Sequence, residues 1–364
     1  VVASLEHGLK VSPYSDGYSN IKSMEIDGRT VTLHLSEFRS DMQYYLCAGF
    51  VVVIDKDELD TMSDDELMWG CHPYGMYALA EGGYVSGSEV KLVRNDGYTT
   101  TNPLVENKGA AKIENISVRF NVEEFTQTEE LKSGAADMIM SISSDQKMEL
   151  EDQENIKLED TTYPNIAYFE MNTDSPVFAD INVRKAMALA IDRDELAEIN
   201  DGTIAPAYSM IYDSVQNFSP DAKAWFEENL ANDPEESKKL LEAAGWKDTD
   251  GDGIREKDGK KLEFTWYAWT DATRTPEKMA EQLKAVGFDM HIEAIDWNYV
   301  YENISSDDYD AGIEWLSWAE PMLVLNACYY DKNAPGNTQE YKDKVEKAAH
   351  EVDTDKRTEM IGDI

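Results

Sequence analysis

The sequence predicts a mixed α/β protein of two or three units, β-rich at its start and α/β in its second half. Three observations carry this. The chain has 364 residues, 42% hydrophobic and 10% aromatic, more than one core organises, because single cores stop growing near ~250–300 residues. Short alternating segments bounded by Gly- and Asn-rich turns fill the opening section. Residues 262–295 then spell out a strand, a helix and a second strand in order.

Taken from the start, Ser23–Asp27 leads into Asp27-Gly28, a hairpin-turn dipeptide. Thr30 to Leu35 (TVTLHL) then alternates as a strand does. The most apolar run, Leu46 to Ile54, reads as a strand and is too short for the ~18–20 residues of a membrane span. Residues 57–69 (DELDTMSDDELMW) are polar and acidic, and read as a short helix or loop joining units. Strands resume near Tyr74–Ala80, Glu89–Arg94 and Ile113–Phe120, with turns at Gly82-Gly83 and Asn95-Asp96-Gly97.

After about residue 165 the pattern turns to α/β. Asp192 caps a helix whose Glu195 completes a capping box, with Gly202 shortly past its end. The next helix has Asp233 as N-cap, Pro234 in the first turn, Glu236 closing the box and Gly245 as its stop. Leu240, Leu241 and Ala244 give it an apolar face. In the β-α-β unit, Leu262, Phe264, Trp266 and Ala268 alternate with polar residues. Thr275-Pro276 starts the helix, Gly287 follows it, and Phe288, Met290, Ile292 and Ala294 share one face of the second strand. Two strands joined by one helix run parallel with a right-handed crossover.

Composition excludes several functions. Thirty-three basic against seventy-three acidic side chains give a formal net charge of −40, which repels nucleic acid and anionic lipid. Eight Trp, nineteen Tyr and ten Phe mark a folded chain, since disordered acidic chains lack aromatics. Cys47, Cys71 and Cys328 lie far apart, with no CxxC pair and no metal-type spacing. The five histidines are scattered without HExxH, His291 being a polar-face strand residue that reads as solvated, and GxSxG, P-loop and GxGxxG motifs are absent.

Two segments carry candidate chemistry. In residues 248–259 (DTDGDGIREKDG), Asp248, Asp250 and Asp252 followed by Gly253 match the first half of a calcium loop. The twelfth position is Gly259, where a bidentate Glu belongs, and Glu256 or Asp258 substitutes only with altered geometry. The alternatives are a tight polar turn or a structural calcium site. The second segment is aromatic: Trp266, Tyr267, Trp269, Trp297, Tyr299, Tyr301, Trp315 and Trp318 crowd into about fifty residues. Alternation forbids Trp266 and Trp269 a common face, so one is core and the other lies near the crevice where open α/β sheets bind ligands.

Four stretches resemble the family 5 extracellular solute-binding proteins of bacterial ABC importers for peptides, nickel and related cargo. They are residues 84–98 (YVSGSEVKLVRNDGY), 131–138 (LKSGAADM), 168–193 (YFEMNTDSPVFADINVRKAMALAIDR) and 233–262. The third is the most specific, with its Asn, Pro-hydrophobic-Phe-x-Asp, Val-Arg-x-Ala and Ala-Ile-Asp-Arg in register. The resemblance implies a periplasmic-binding-protein-like (type II) fold, two lobes with a hinge and a supplementary domain. Residues 1–68 then look like the end of the supplementary domain, 69–167 like the rest of the first lobe, and 168–364 like the second lobe. It further implies a fragment lacking N- and C-terminal parts, the chain starting at Val1.

By the same resemblance, Trp297 falls on a pocket-wall Trp and Arg274 near a basic position that meets a ligand carboxylate. Residues 315–321 (WLSWAEP) fall on a pocket segment in which an Asp pairs with a peptide's α-amino group. Here Ser317 or Ala319 takes that place, and Glu320 or Glu314 is the nearby carboxylate. The expected ligand-binding residues are therefore Trp269, Arg274, Trp297, Trp315, Ser317, Trp318 and Glu320. The implied function is capture of oligopeptides and delivery to ABC permease subunits, by a monomer outside the cytoplasmic membrane or in the periplasm. Membrane attachment would be only through a lipid anchor absent from this sequence, as in a lipoprotein. The alternatives are a metal chelate, heme or oligosaccharide as ligand, and, more remotely, a carboxylate-dyad hydrolase.

Overall fold

The computed structural model describes the chain except residues 50, 71–73, 160–164, 201–202, 270–273, 296–308 and 331–337, with backbone alone at 69–70, 269, 295, 313–316 and 327–330. It divides into two units, Val1–Glu159 and Asp160–Ile364.

The first unit opens with α1 (Val2–Val11) and a hairpin of β1 (Ile21–Asp27) and β2 (Thr30–Leu35). Asp27 pairs with Thr30 across the turn, with Gly28 at φ +60°, as the Asp-Gly dipeptide predicts. The apolar run from Leu46 is not a strand. Leu46 and Cys47 complete α2 (Met42–Cys47), and Gly49, at φ +78°, stands in the turn that follows it. The acidic linker forms two short helices, α3 (Lys56–Thr61) and α4 (Asp64–Gly70).

Strands β3 (Tyr77–Val85), β4 (Glu89–Arg94) and β5 (Asn115–Arg119) form an antiparallel sheet in that order. Gly82-Gly83, expected as a turn, lies inside β3, where the register with β4 shifts between Leu79 and Tyr84. The physical reason is a bulge: Gly82 sits at φ +63°, and a Cβ on Gly83 would lie 2.7 Å from the Ala80 and Lys91 carbonyl oxygens. The LKSGAADM stretch is the end of α5 (Glu124–Ser133). Gly134 at φ +75° and the Ala135 N–H bond to the Glu130 carbonyl close that helix. Helix α6 (Ser144–Leu150) starts with a full Ser143/Gln146 capping box.

The second unit runs β6 (Ile166–Met171), α7 (Ile181–Ala190), α8 (Arg193–Ile199), α9 (Pro220–Asn229) and α10 (Pro234–Ala243). A two-residue hairpin, β7 (Glu256–Lys257) with β8 (Lys260–Lys261), precedes β9 (Glu263–Trp269), α11 (Arg274–Lys284) and β10 (Asp289–Ile295). Then come β11 (Ala311–Leu316), α12 (Pro321–Tyr330), α13 (Gln339–Ala349) and α14 (Thr354–Asp363). The sheet order is β10-β9-β11-β6, with β10, β9 and β11 parallel and β6 antiparallel to β11.

The β-α-β unit therefore forms as its periodicity predicts. Leu262, Phe264, Trp266 and Ala268 are all buried. On β10 the burial fades: Phe288 and Met290 are buried, whereas Ile292 and Ala294 are exposed because β10 is an edge strand. Phe264 packs edge-on against Phe178 and Phe288, and Phe169 stacks on Trp266 with centroids 5.1 Å apart. A second core joins Ile166 and Ile211 to α12, α13 and α14 through Met322, Val324, Leu325, Val345, Ala348 and Ile361.

The residues of the 168–193 motif build this scaffold. Phe178 is fully buried. Asp180 caps α7 by accepting from the Asn182 N–H, and Arg184 donates to the Phe178 and Ala179 carbonyls. Ala186 lies in the α7–α10 contact, where the Ser237 hydroxyl donates to its carbonyl at 2.7 Å. Arg193 donates to the Ala188 and Leu230 carbonyls and lies over the Tyr208 ring, and burial lowers its pKa.

Asp192 caps α8 as expected, but Glu195 does not return to close the box. The Asp192 N–H donates instead to Gln282 Oε1 on α11, and Gln282 Nε2 donates to Glu195 Oε2. Asp233 likewise caps α10, but Glu236 does not close the box. The Asp233 N–H donates to the Leu189 carbonyl and Glu236 pairs with Lys239, with Gly245 at φ +92° past the helix end. Gly202 lies outside the described residues. Gly287, at φ +109°, is held against Arg255: a Cβ there would lie 2.5 Å from Arg255 Cγ. The Arg255 guanidinium donates to the Val286 and Trp246 carbonyls.

Candidate functional site

The three parallel strands end at one edge of the sheet. β9 ends at Trp269, β10 at its register partner Ile295, and β11 at Leu316. In open parallel sheets, ligands bind outside these carboxyl ends. The expected residues gather in sequence around this edge. Trp269 closes β9, Arg274 is the exposed first residue of α11, and Trp315 pairs with Ala167 of β6 one residue before β11 stops. Trp297, two residues past β10, lies outside the described residues.

The segment after β11 is resolved in more detail. Ser317 is exposed. Trp318 is half-buried and packs against the second core, and its carbonyl accepts from the Tyr212 hydroxyl at 3.2 Å. Glu320 is buried at the N-cap of α12, where Oε2 accepts from the Leu323 N–H at 3.1 Å. Glu is not among the favoured N-cap residues, so Pro321 in the first helical position is the signal in the sequence that a helix starts here.

Sequence reasoning also missed Asp310. Its carboxylate accepts from the Ser175 hydroxyl at 2.6 Å and from the Thr265 N–H at 3.1 Å. One side chain thereby ties the turn after β6 and the strand β9 to the start of β11, which leads to the candidate segment. Its partners lie 135 and 45 residues away, so no local spacing reveals it.

The acidic loop is a tightly hydrogen-bonded turn. Asp248 accepts from the Gly251 and Gly253 N–H groups at 2.7 and 3.1 Å, Asp250 from Asp252, and Asp252 from Ile254. Glu256 joins the three aspartates by accepting from the Thr249 N–H and hydroxyl, so that the four carboxylates each have an oxygen within 4.8 Å of the others. The Lys261 ammonium bonds to Asp252 and, with the Ile254 N–H, holds that carboxyl below the usual aspartate range. Cys47 is an exposed free thiol.

Residues 1–336 match the family model described as bacterial extracellular solute-binding proteins, family 5, middle region. The chain belongs to this family. The oligopeptide-binding protein AppA of Bacillus subtilis is 26% identical over 239 residues, 64% of this chain and 41% of that protein. The peptide transport periplasmic protein SapA of Salmonella typhimurium is 25% identical over 240 residues, again 64% of this chain and 41% of the relative. These matches thus span less than half of the relatives' length.

Solved structures agree in fold. AppA of Bacillus subtilis with a bound nonapeptide superposes at a TM-score of 0.76 and 20% identity, covering 100% of this chain and 74% of that one. NikA of Brucella suis with Fe(III)-EDTA gives 0.78 and 18%, covering 100% and 74%. A Thermotoga maritima oligopeptide-binding protein holding mannohexaose gives 0.77 and 17%, covering 100% and 72%. The fold is the type II periplasmic-binding-protein-like α/β fold that the motifs imply. Among the described residues, no helix is long and apolar enough to cross a membrane.

Proposed function

We propose that this chain is part of the ligand-capturing component of a bacterial ABC importer, a binding protein and not an enzyme, with oligopeptides as its cargo. The observation that carries the reading is the convergence of β9, β10 and β11 on one edge, where Trp269, Arg274, Trp297 and the 315–320 segment cluster in sequence. Family membership and the oligopeptide-binding relatives support it. Aromatic walls suit a peptide because each buries ~150–250 Å² at low entropy cost. Bridging waters, at ~0–2 kcal/mol each, let one site accept varied side chains. The protein acts outside the cytoplasmic membrane or in the periplasm as a monomer, hands its ligand to permease subunits, and is tethered through a lipid anchor.

Native mass spectrometry of the protein as purified, followed by calorimetry with a peptide library, tests this. Co-purifying peptide, or saturable heat with peptides, is the expected result. Neighbours on this fold hold mannohexaose or Fe(III)-EDTA. A sugar, heme or metal chelate of matching mass, with no response to any peptide, would replace the peptide reading by one of those ligands.

A further inference from the structure

We propose that Glu263, Asp289 and His291 form a surface site for one divalent transition-metal ion of the zinc or nickel kind. Glu263 opens β9 and Asp289 opens β10, and the two are register partners on adjacent parallel strands. His291 follows two residues after Asp289, so strand alternation returns it to the same face. Its Nε2 stands 3.7 Å from Asp289 Oδ2 and 3.9 Å from Glu263 Oε2, and one donor atom from each residue lies within 4.8 Å of the others.

Two like charges directly opposite on neighbouring strands are destabilising. Among the described residues, neither carboxylate forms an ion pair with a lysine or arginine, and the nearby Lys261 is engaged by Asp252. The imidazole is the group that faces both. Metal–ligand bonds of about 2.0–2.2 Å hold donors roughly 3.3 Å apart in a tetrahedral site. The observed separations close to that value by side-chain rotation, which the exposure of Glu263 and His291, 56% each, permits.

The donor set selects the ion. One imidazole and two carboxylates suit zinc, nickel or copper, whereas calcium and magnesium take oxygen alone. Three protein donors leave a coordination position for water or an outside ligand. Strands fix the donors' backbones more firmly than a loop does. The site lies at the amino-terminal ends of β9 and β10, the opposite edge from the candidate ligand segment, so it stands whether or not the proposed cargo is correct.

The test is a competition titration of metal-stripped protein with zinc or nickel chloride against a chromophoric chelator. All variants are made in a background with Cys47, Cys71 and Cys328 replaced by Ser, because thiols also bind these ions. One equivalent of metal is expected, with affinity falling at least about tenfold in His291→Ala and in Glu263→Gln. Asp248→Asn, in the acidic loop but outside the Lys261–Asp252 pair, is expected to leave the affinity unchanged. Circular dichroism melts without metal establish that the variants remain folded. Absence of a saturable equivalent, or undiminished binding by His291→Ala, overturns the proposal.

Discussion

Asn172 Nδ2 donates to the backbone carbonyl of Tyr309 at 2.8 Å, a buried bond between residues 137 apart in the chain. With the Asn172 N–H bonded to the Asp310 carbonyl, it fixes where β6 ends and β11 begins. Asn172→Ala leaves a buried carbonyl short of a donor and is expected to lower stability by about 1–3 kcal/mol. Urea unfolding followed by tryptophan fluorescence measures this, and an unchanged midpoint would show that the bond is dispensable.

Phe178 sits between helix and sheet with no exposed surface, its ring edge-on to Phe264. Truncation to alanine opens a cavity that rigid neighbours fill only in part. A loss of about 3–5 kcal/mol is expected, read from the same denaturant curves.

Asp233 provides a milder case. Its carboxylate accepts from the Glu236 N–H at 2.9 Å on an exposed helix end. Asp233→Ala should reduce stability by about 0.5–2 kcal/mol, and Asp233→Ser should recover most of it.

Glu195 gives a pH dependence with a definite sign. The Lys278 ammonium and then the Gln282 amide hold its pKa below the ordinary glutamate value. A depressed folded pKa means the stabilising contribution is complete above the unfolded value, about 4.3. It is lost as the pH falls through the folded value. Thermal melts between roughly pH 6 and pH 3 should therefore separate wild type from Glu195→Gln most at the upper end and least at the lower.

The candidate tryptophans should divide by role. Trp297→Ala is expected to weaken ligand binding by about 2 kcal/mol, with the melting temperature unmoved. Trp318→Ala should lower the melting temperature as well, because its ring packs against the second core. Paired calorimetry and melting curves separate these outcomes, and a Trp297→Ala protein with full affinity would remove that residue from the site.

Legibility of the fold followed the range of the interactions. Asp27-Gly28, the Asp192 and Asp233 caps and the 262–295 unit rest on neighbours within a few residues, and the sequence displays them directly. Leu46–Ile54 misled because a nearly continuous apolar run of about two and a half helical turns shows no period to separate strand from helix. Gly82-Gly83 misled because glycine serves a bulge as well as a turn, and only the facing Lys91 carbonyl distinguishes them. The carboxyl edge of the sheet was foreseeable from the β-α-β pattern, whereas Glu320 as a helix cap and Asp310 as a clasp depend on tertiary placement. His291 reads as a solvated polar residue in isolation, and its relation to Glu263 exists only through the pairing of β9 with β10.

The contact between Gly287 and Arg255 has a consequence for how this chain can diverge. The space a side chain would need at 287 is already filled by the arginine's own methylenes, which in turn are tethered to two carbonyls. Neither position is therefore free to drift by itself. Related sequences that abandon the glycine should carry a shorter residue at 255, so the two sites should mutate in tandem and register as a coupled pair in any sufficiently deep collection of homologues.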